Sequence, residues 1–331
     1  MELFFSVKKD IKEEGTDMEL AQKMPNRAKG LMMVITGSAL WGLSGTAAQI
    51  LFQEKHMTAE WLVVVRMLIS GIGLLIVSAL KGLKPQSIWA DKKHRIHLLV
   101  FGIVGMLGVQ YTYFASIATG NAATATLLQY LAPVYIVLYT ILKEQTKPSK
   151  EVWLAVLLAM LGTFLLITNG STEGLQVSFV SIVWGGLSGI TLAFYTLSSA
   201  QLLKKWHSLV VVGWGMLIGG ASMTLITFPA TVSNIVWGID TWLLIIFVVF
   251  FGTLLAFWLF VESIRHLSPT ESSLLSSVEP LSAVIASIVF LNVTFGIFQA
   301  IGGLCIILTV FILSLKKEKA KSNLYNKDCS F

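Results

Sequence analysis

Apolar runs of around 20 residues recur along this chain, separated by short polar loops. At 1.5 Å of helical rise per residue, such a run spans the roughly 30 Å of hydrocarbon in a bilayer. The pattern predicts membrane helices at about 31–52, 60–80, 97–117, 121–142, 152–169, 177–200, 209–230, 241–262, 271–291 and 295–315. Ten such runs exceed what a soluble core needs, so the expected fold class is an all-α membrane protein with ten transmembrane helices.

The polar loops give an orientation. With the N-terminus placed in the cytoplasm, 22 of the 24 Lys and Arg residues fall on the inside. The outside loops keep only Lys55, and Arg66 lies within the second span. That asymmetry obeys the positive-inside rule and puts both termini in the cytoplasm. It also supports the helix count, since a missed span would invert every later loop. Trp61, Trp153, Trp206, Trp237 and Trp242 fall near span ends, where an aromatic belt belongs. Residues 1–29 read as a solvated, disordered cytoplasmic arm with at most a short surface helix, and residues 316–331 as a cytoplasmic tail.

Composition sharpens the class. The chain is 55% hydrophobic and 13% charged, about half the charge of an average soluble domain. Its net charge of +6 is a topology signal, so no nucleic-acid partner is expected. Two cysteines and five scattered histidines offer neither a disulfide framework nor metal-ligand spacing, and no cofactor is expected. A phosphate-binding Gly-x-x-x-x-Gly-Lys loop is lacking, so the chain has no ATPase of its own.

Sliding the chain against itself by 147 residues brings Leu62-Val63-Val64-Val65 onto Leu209-Val210-Val211-Val212, and Leu127-Leu128 with Pro133 onto Leu274-Leu275 with Pro280. Near that offset, Trp41-Gly42-Leu43-Ser44-Gly45 matches Trp184-Gly185-Gly186-Leu187-Ser188-Gly189. The repeat holds five spans. An odd number inverts the second copy, the arrangement many secondary transporters use for alternating access. The halves are 30–169 and 170–315.

These features resemble the EamA-type branch of the drug/metabolite transporter superfamily. The resemblance rests on Trp-Gly-Leu-Ser-Gly in span one, on Arg66, and above all on Ser268-Pro269-Thr270-Glu271-Ser272-Ser273-Leu274-Leu275 leading into Glu279-Pro280. Ala132-Pro133 in the first half departs from it by lacking the acid. The resemblance implies ten-span carriers, mostly exporters, of amino acids, metabolites or drugs.

Arg66 is costly at a helix centre, by roughly 2.5–3.5 kcal/mol on insertion scales. Three readings stand open for it: a substrate or gating residue, a structural ion pair, or a side chain that snorkels to the outer interface. Its repeat counterpart is Gly213, and that of Glu279 is Ala132, so neither charge is demanded by symmetry. Ser272, Ser276, Glu279, Ala283 and Ser287 share one helix face, either a watery path or a packing seam. Glu279 is a candidate proton or cation site. Pro133 and Pro280, near mid-span, are hinges or fixed kinks. Trp41, Tyr111, Tyr113, Tyr130, Trp184, Tyr195, Trp214 and Trp258 are candidates to wall a cavity, with Gln110, Asn121, Gln129 and Ser276 adding polar contacts. Gly185/Gly189 and Gly215/Gly219 read as helix-packing surfaces. Glu262, Arg265 and His266 read as an interfacial charge cluster.

The expected activity is secondary transport of a small-molecule substrate, first an exporter of amino acids or related amphipathic compounds, working as a monomer or homodimer in the inner membrane with proton or cation coupling. The alternatives are an importer, a mover of lipid-linked or sugar-bearing molecules, a channel, a sensor or scaffold, and a membrane-embedded enzyme. Scarce histidine and aspartate argue against the enzyme.

Overall fold

The computed structural model describes residues 2–145, 150–171, 177–227, 235–263, 266–267, 275–276, 278–309 and 311–312; the side chains of 2–26, 133, 137, 140, 144, 200 and 261 lie outside the description. Among the described residues the chain is helical throughout and has no strand. Eight helices among the described residues are long and apolar enough to cross a bilayer. They are α1 (Glu2–Gln53), α2 (Ala59–Leu80), α3 (Lys92–Thr119), α4 (Ala122–Lys143), α5 (Lys150–Thr168), α6 (Phe179–Leu202), α7 (Ser208–Thr227) and α8 (Ile239–Phe260). Two shorter apolar helices follow, α9 (Val278–Leu291) and α10 (Ile297–Thr309).

Over the ninth and tenth expected spans the described residues form shorter apolar helices, next to residues 277 and 310, which lie outside the description. The Ser268–Leu274 stretch that would complete span nine lies outside the described residues. The N-terminal arm also differs from expectation, because helix α1 begins at Glu2 instead of near residue 31. Its Lys, Glu, Leu and Met residues are good helix formers, although Gly15 and Pro25 within the same stretch are not.

The helix pairs recur in two matching sets. Helix α1 packs on α8 and α9, while α6 packs on α3 and α4. At the centre α2 crosses α7, with Gly71 and Gly213 bringing the two backbones together. A Cβ on Gly71 would sit 3.0 Å from the Gly213 carbonyl oxygen. Small residues here replace the hydrophobic drive that lipid cannot supply between helices. Gly185, Gly189, Gly215 and Gly219 all make comparably close approaches, as packing surfaces should.

Local irregularities repeat at the same spacing. Helix α3 widens to a π-helix over Phe101–Leu107, and α8 does so over Phe247–Leu255. Gln145 and Asn292, which follow α4 and α9, both adopt left-handed φ, at 51° and 50°. Matching departures from regular helix are harder to reach by chance than matching apolar residues.

Candidate functional site

Helix α4 is broken. Its first segment ends at Gln129 and its second starts at Ala132, with Tyr130 and Leu131 forming the turn between them. Pro133 falls in the first turn of the second segment, where its missing N–H is not needed; its side chain lies outside the described residues. The same arrangement precedes α9. Ser276 forms a turn, and Glu279 and Pro280 lie in the first helical turn after it. Both prolines therefore begin a helical segment just after a break, at the positions where the sequence leads one to expect a hinge or a fixed kink.

The two breaks touch. The Tyr130 hydroxyl lies 2.6 Å from the Ser276 carbonyl oxygen, to which it donates, and 3.2 Å from Glu279 Oε2. One of the loosened backbone turns thus finds its partner in the other, as backbone at membrane depth requires. Tyr113 stands within electrostatic reach of both Arg66 and Glu279. Its hydroxyl shares a 2.8 Å hydrogen bond with Thr126.

Arg66 does not snorkel. Its Nε donates to Thr253 Oγ1 at 3.1 Å, well inside α8, and its guanidinium lies 4.4 Å from the Phe114 ring centroid. Only 4% of the residue is exposed. Thr253 sits in the π-helical stretch, where its hydroxyl donates to Val248 O at 2.8 Å. The widened turn therefore aims an oxygen at Arg66. No carboxylate among the described residues comes within ion-pair distance of this arginine, so the structural ion pair is not found there. The two terminal nitrogens of its planar fork keep their capacity for an oxyanion.

The Trp-Gly-Leu-Ser-Gly motif of α1 builds the floor of this site. A Cβ on Gly42 would lie 2.8 Å from Ala283 N on α9, Ser44 presses on Gly252 of α8, and a Cβ on Gly45 would come within 2.7 Å of the Tyr113 hydroxyl. In the matching motif of α6, Ser188 accepts from Gln129 Nε2 at 2.6 Å, and Gly185 packs on Leu128.

The other expected cavity residues are dispersed. Trp41 packs on Phe257 and Phe260 at ring distances of 5.0 and 5.1 Å. Tyr195 lies on Phe101, and the Trp214 indole donates to the Pro85 carbonyl at 2.8 Å. Asn121 caps α4 by accepting from Thr124 N. Tyr111 donates to Glu60 at 3.0 Å and lies edge-on to Trp184. A single aromatic wall therefore does not form, because these rings were chosen by type and not by helix face. Of the expected charge cluster, Arg265 lies outside the described residues. A groove between α1 and α9 of about 250 Å³, lined by Leu43, Ser282 and Val289 among others, is apolar and apart from Arg66. Sequence reasoning missed Phe114, Thr126, Thr253 and Ser188. Only the repeat, through the Ser44/Ser188 match, signalled any of them.

Comparison with known proteins agrees with this architecture. The EamA-like transporter family matches residues 28–168 and again residues 179–315. The inner-membrane transporter YicL of Salmonella typhimurium is 35% identical over 298 residues, covering 89% of this chain and 98% of its own. The threonine/homoserine exporter RhtA of Escherichia coli is 27% identical over 253 residues, covering 75% of this chain and 80% of its own. A protein of known crystal structure, 17% identical, superposes with a TM-score of 0.61 over 89% of this chain and 99% of that one, a likeness of fold alone. Two family matches spanning nearly all the apolar helices, on a frame whose pairings occur twice, make this multi-pass membrane protein a member of the EamA-like transporter family.

Proposed function

We propose that the chain is a secondary active transporter of small zwitterionic metabolites, foremost amino acids, and that it exports them by alternating access of two inverted five-helix repeats. Both termini are cytoplasmic in this reading, as the distribution of Lys and Arg requires. The observation that carries it is the meeting of two broken helices, where Tyr130 of one reaches Ser276 and Glu279 of the other. Discontinuous helices near mid-membrane are where carriers of this kind hold cargo.

The charges suit an amino acid. The open fork of Arg66 fits a carboxylate in bidentate fashion, and Glu279 fits an ammonium group or a proton. The similarity to RhtA, a threonine/homoserine exporter, supports the same cargo class. A hydroxyl carries one proton, so Tyr130 satisfies Ser276 O and Glu279 together only when the carboxyl brings a proton of its own. Loss of that proton loosens the contact between the breaks, which couples protonation to the hinge.

Counterflow in proteoliposomes loaded with unlabelled amino acids tests the proposal. Labelled threonine, homoserine or another amino acid should accumulate transiently, and Arg66→Ala should lower this on the order of 100-fold. A folded protein that moves no amino acid, while exchanging a sugar or a lipid-linked compound, would refute the cargo assignment.

A further inference from the structure

Two polar clusters close the molecule, one at each end of α2. At its start, the α1–α2 loop meets the α7–α8 loop. Lys55 pairs with Asp240, and Val236 N donates to Lys55 O at 3.0 Å. Trp61 lies edge-on to Trp237 at 5.6 Å, and Trp237 stacks on Trp242 at 5.1 Å. Beyond the other end of α2, the segment leading into α3 meets the α6–α7 loop. Lys205 Nζ and His94 Nδ1 each lie 2.7 Å from Asp91 Oδ2. Trp89 lies edge-on to Trp214 at 5.1 Å, and His94 to Trp206 at 6.1 Å.

The clusters are built alike. Each joins a loop of the first family match to a loop of the second. Each uses one lysine from the loop before α2 or α7, and one aspartate at the start of α3 or α8. Lys55 and Lys205 are 150 residues apart, Asp91 and Asp240 are 149, and Trp89 and Trp237 are 148, all near the repeat spacing. With both clusters formed, Arg66 is shut away from both faces.

From this arrangement we infer that the Lys55–Asp240 and Lys205–Asp91 clusters are a symmetry-related pair of latches, each holding one face of the carrier closed, and that the transport cycle opens them one at a time. The inference rests on the alternating-access reading. Exposed ion pairs of this sort are individually weak, which suits contacts that must break in every cycle. Asp91 also caps α3, accepting from Lys93 N and His94 N through Oδ1, so its other oxygen is free to latch without costing the helix its cap. Lys205 and His94 hold its carboxyl below the usual carboxylate range, and the latch stays charged at neutral pH.

Spin-label distances test the pair without any substrate. On a background with Cys305→Ala and Cys329→Ala, labels go at Ser87 and Lys204 for one face, and at Glu54 and Ile239 for the other; all four sites are exposed. Asp91→Asn keeps the α3 cap and removes the charge. It should raise the long-distance population of the 87–204 pair about fivefold, the size of a typical coupling, and leave the 54–239 pair short. Lys55→Met should do the reverse. The unaffected face reports in each case that the protein is folded. Unchanged distances in both variants, or both faces opening together in either, would overturn the inference. Failure of amino-acid counterflow with these distance changes intact would sink the cargo reading and leave the latches standing.

Discussion

The two halves share a fold but not a chemistry. The first half supplies Arg66 where the second has Gly213, and the second supplies Glu279 where the first has Ala132. Around them the structure repeats: π-helical stretches in α3 and α8, breaks in α4 and before α9, and left-handed residues at Gln145 and Asn292. The reason is physical. Helix packing depends on small residues and matched surfaces, which both copies need in order to assemble. A buried charge is expensive in each copy, and the packing of the two halves does not need it, so each half carries its charge without a counterpart.

The comparison can be broken most severely at Arg66. Arg66→Ala should lower counterflow on the order of 100-fold, the equivalent of about 3 kcal/mol for a charged hydrogen-bonded contact. Arg66→Lys should recover little, since an ammonium group lacks the planar fork. The protein should still insert in the membrane, which separates this loss from misfolding.

Two glycines of the matching motifs come next. Gly42 faces the backbone of α9, so Gly42→Ala should destabilise the protein by roughly 2–3 kcal/mol, read as an earlier thermal unfolding transition in detergent. Gly186, in the matching motif, has nothing near its missing Cβ. Gly186→Ala should instead be neutral or stabilising by about 0.5–1 kcal/mol. Equal effects of the two would mean that Gly42 is not pressed on the backbone of α9.

Glu279→Gln should slow transport about tenfold, near 1.4 kcal/mol, and flatten its pH dependence. A full pH response in that variant would remove the carboxyl from coupling. Tyr130→Phe should have the smallest effect on transport, about fivefold, for loss of one hydrogen bond worth around 1 kcal/mol. Counterflow measured across pH would report both variants in one experiment.

Much of this was legible in advance. Hydropathy gave eight of the spans within a few residues, and the repeat matched Pro133 to Pro280, beside which the structure has its two breaks. The glycine pairs behaved as packing surfaces. The aromatic set was not legible, since Trp214 serves a loop carbonyl and Tyr195 a packing contact. Ring type says nothing about which way a helix faces. Thr253 was hidden for a related reason: its role depends on a π-helical turn that shifts the register of α8, and no residue pattern marks that turn.

Apolar runs and loop charges, acting locally through transfer into lipid, determined by themselves that this chain threads the membrane many times and is duplicated. They also put a lone arginine and a lone acid in the membrane. Only the tertiary structure decided that Arg66 turns inward to Thr253, that the two breaks meet through Tyr130, and that the loops at each end of α2 are latched. These are contacts between helices far apart in sequence, set by crossing geometry and helix rotation, which the order of residues along one helix does not encode.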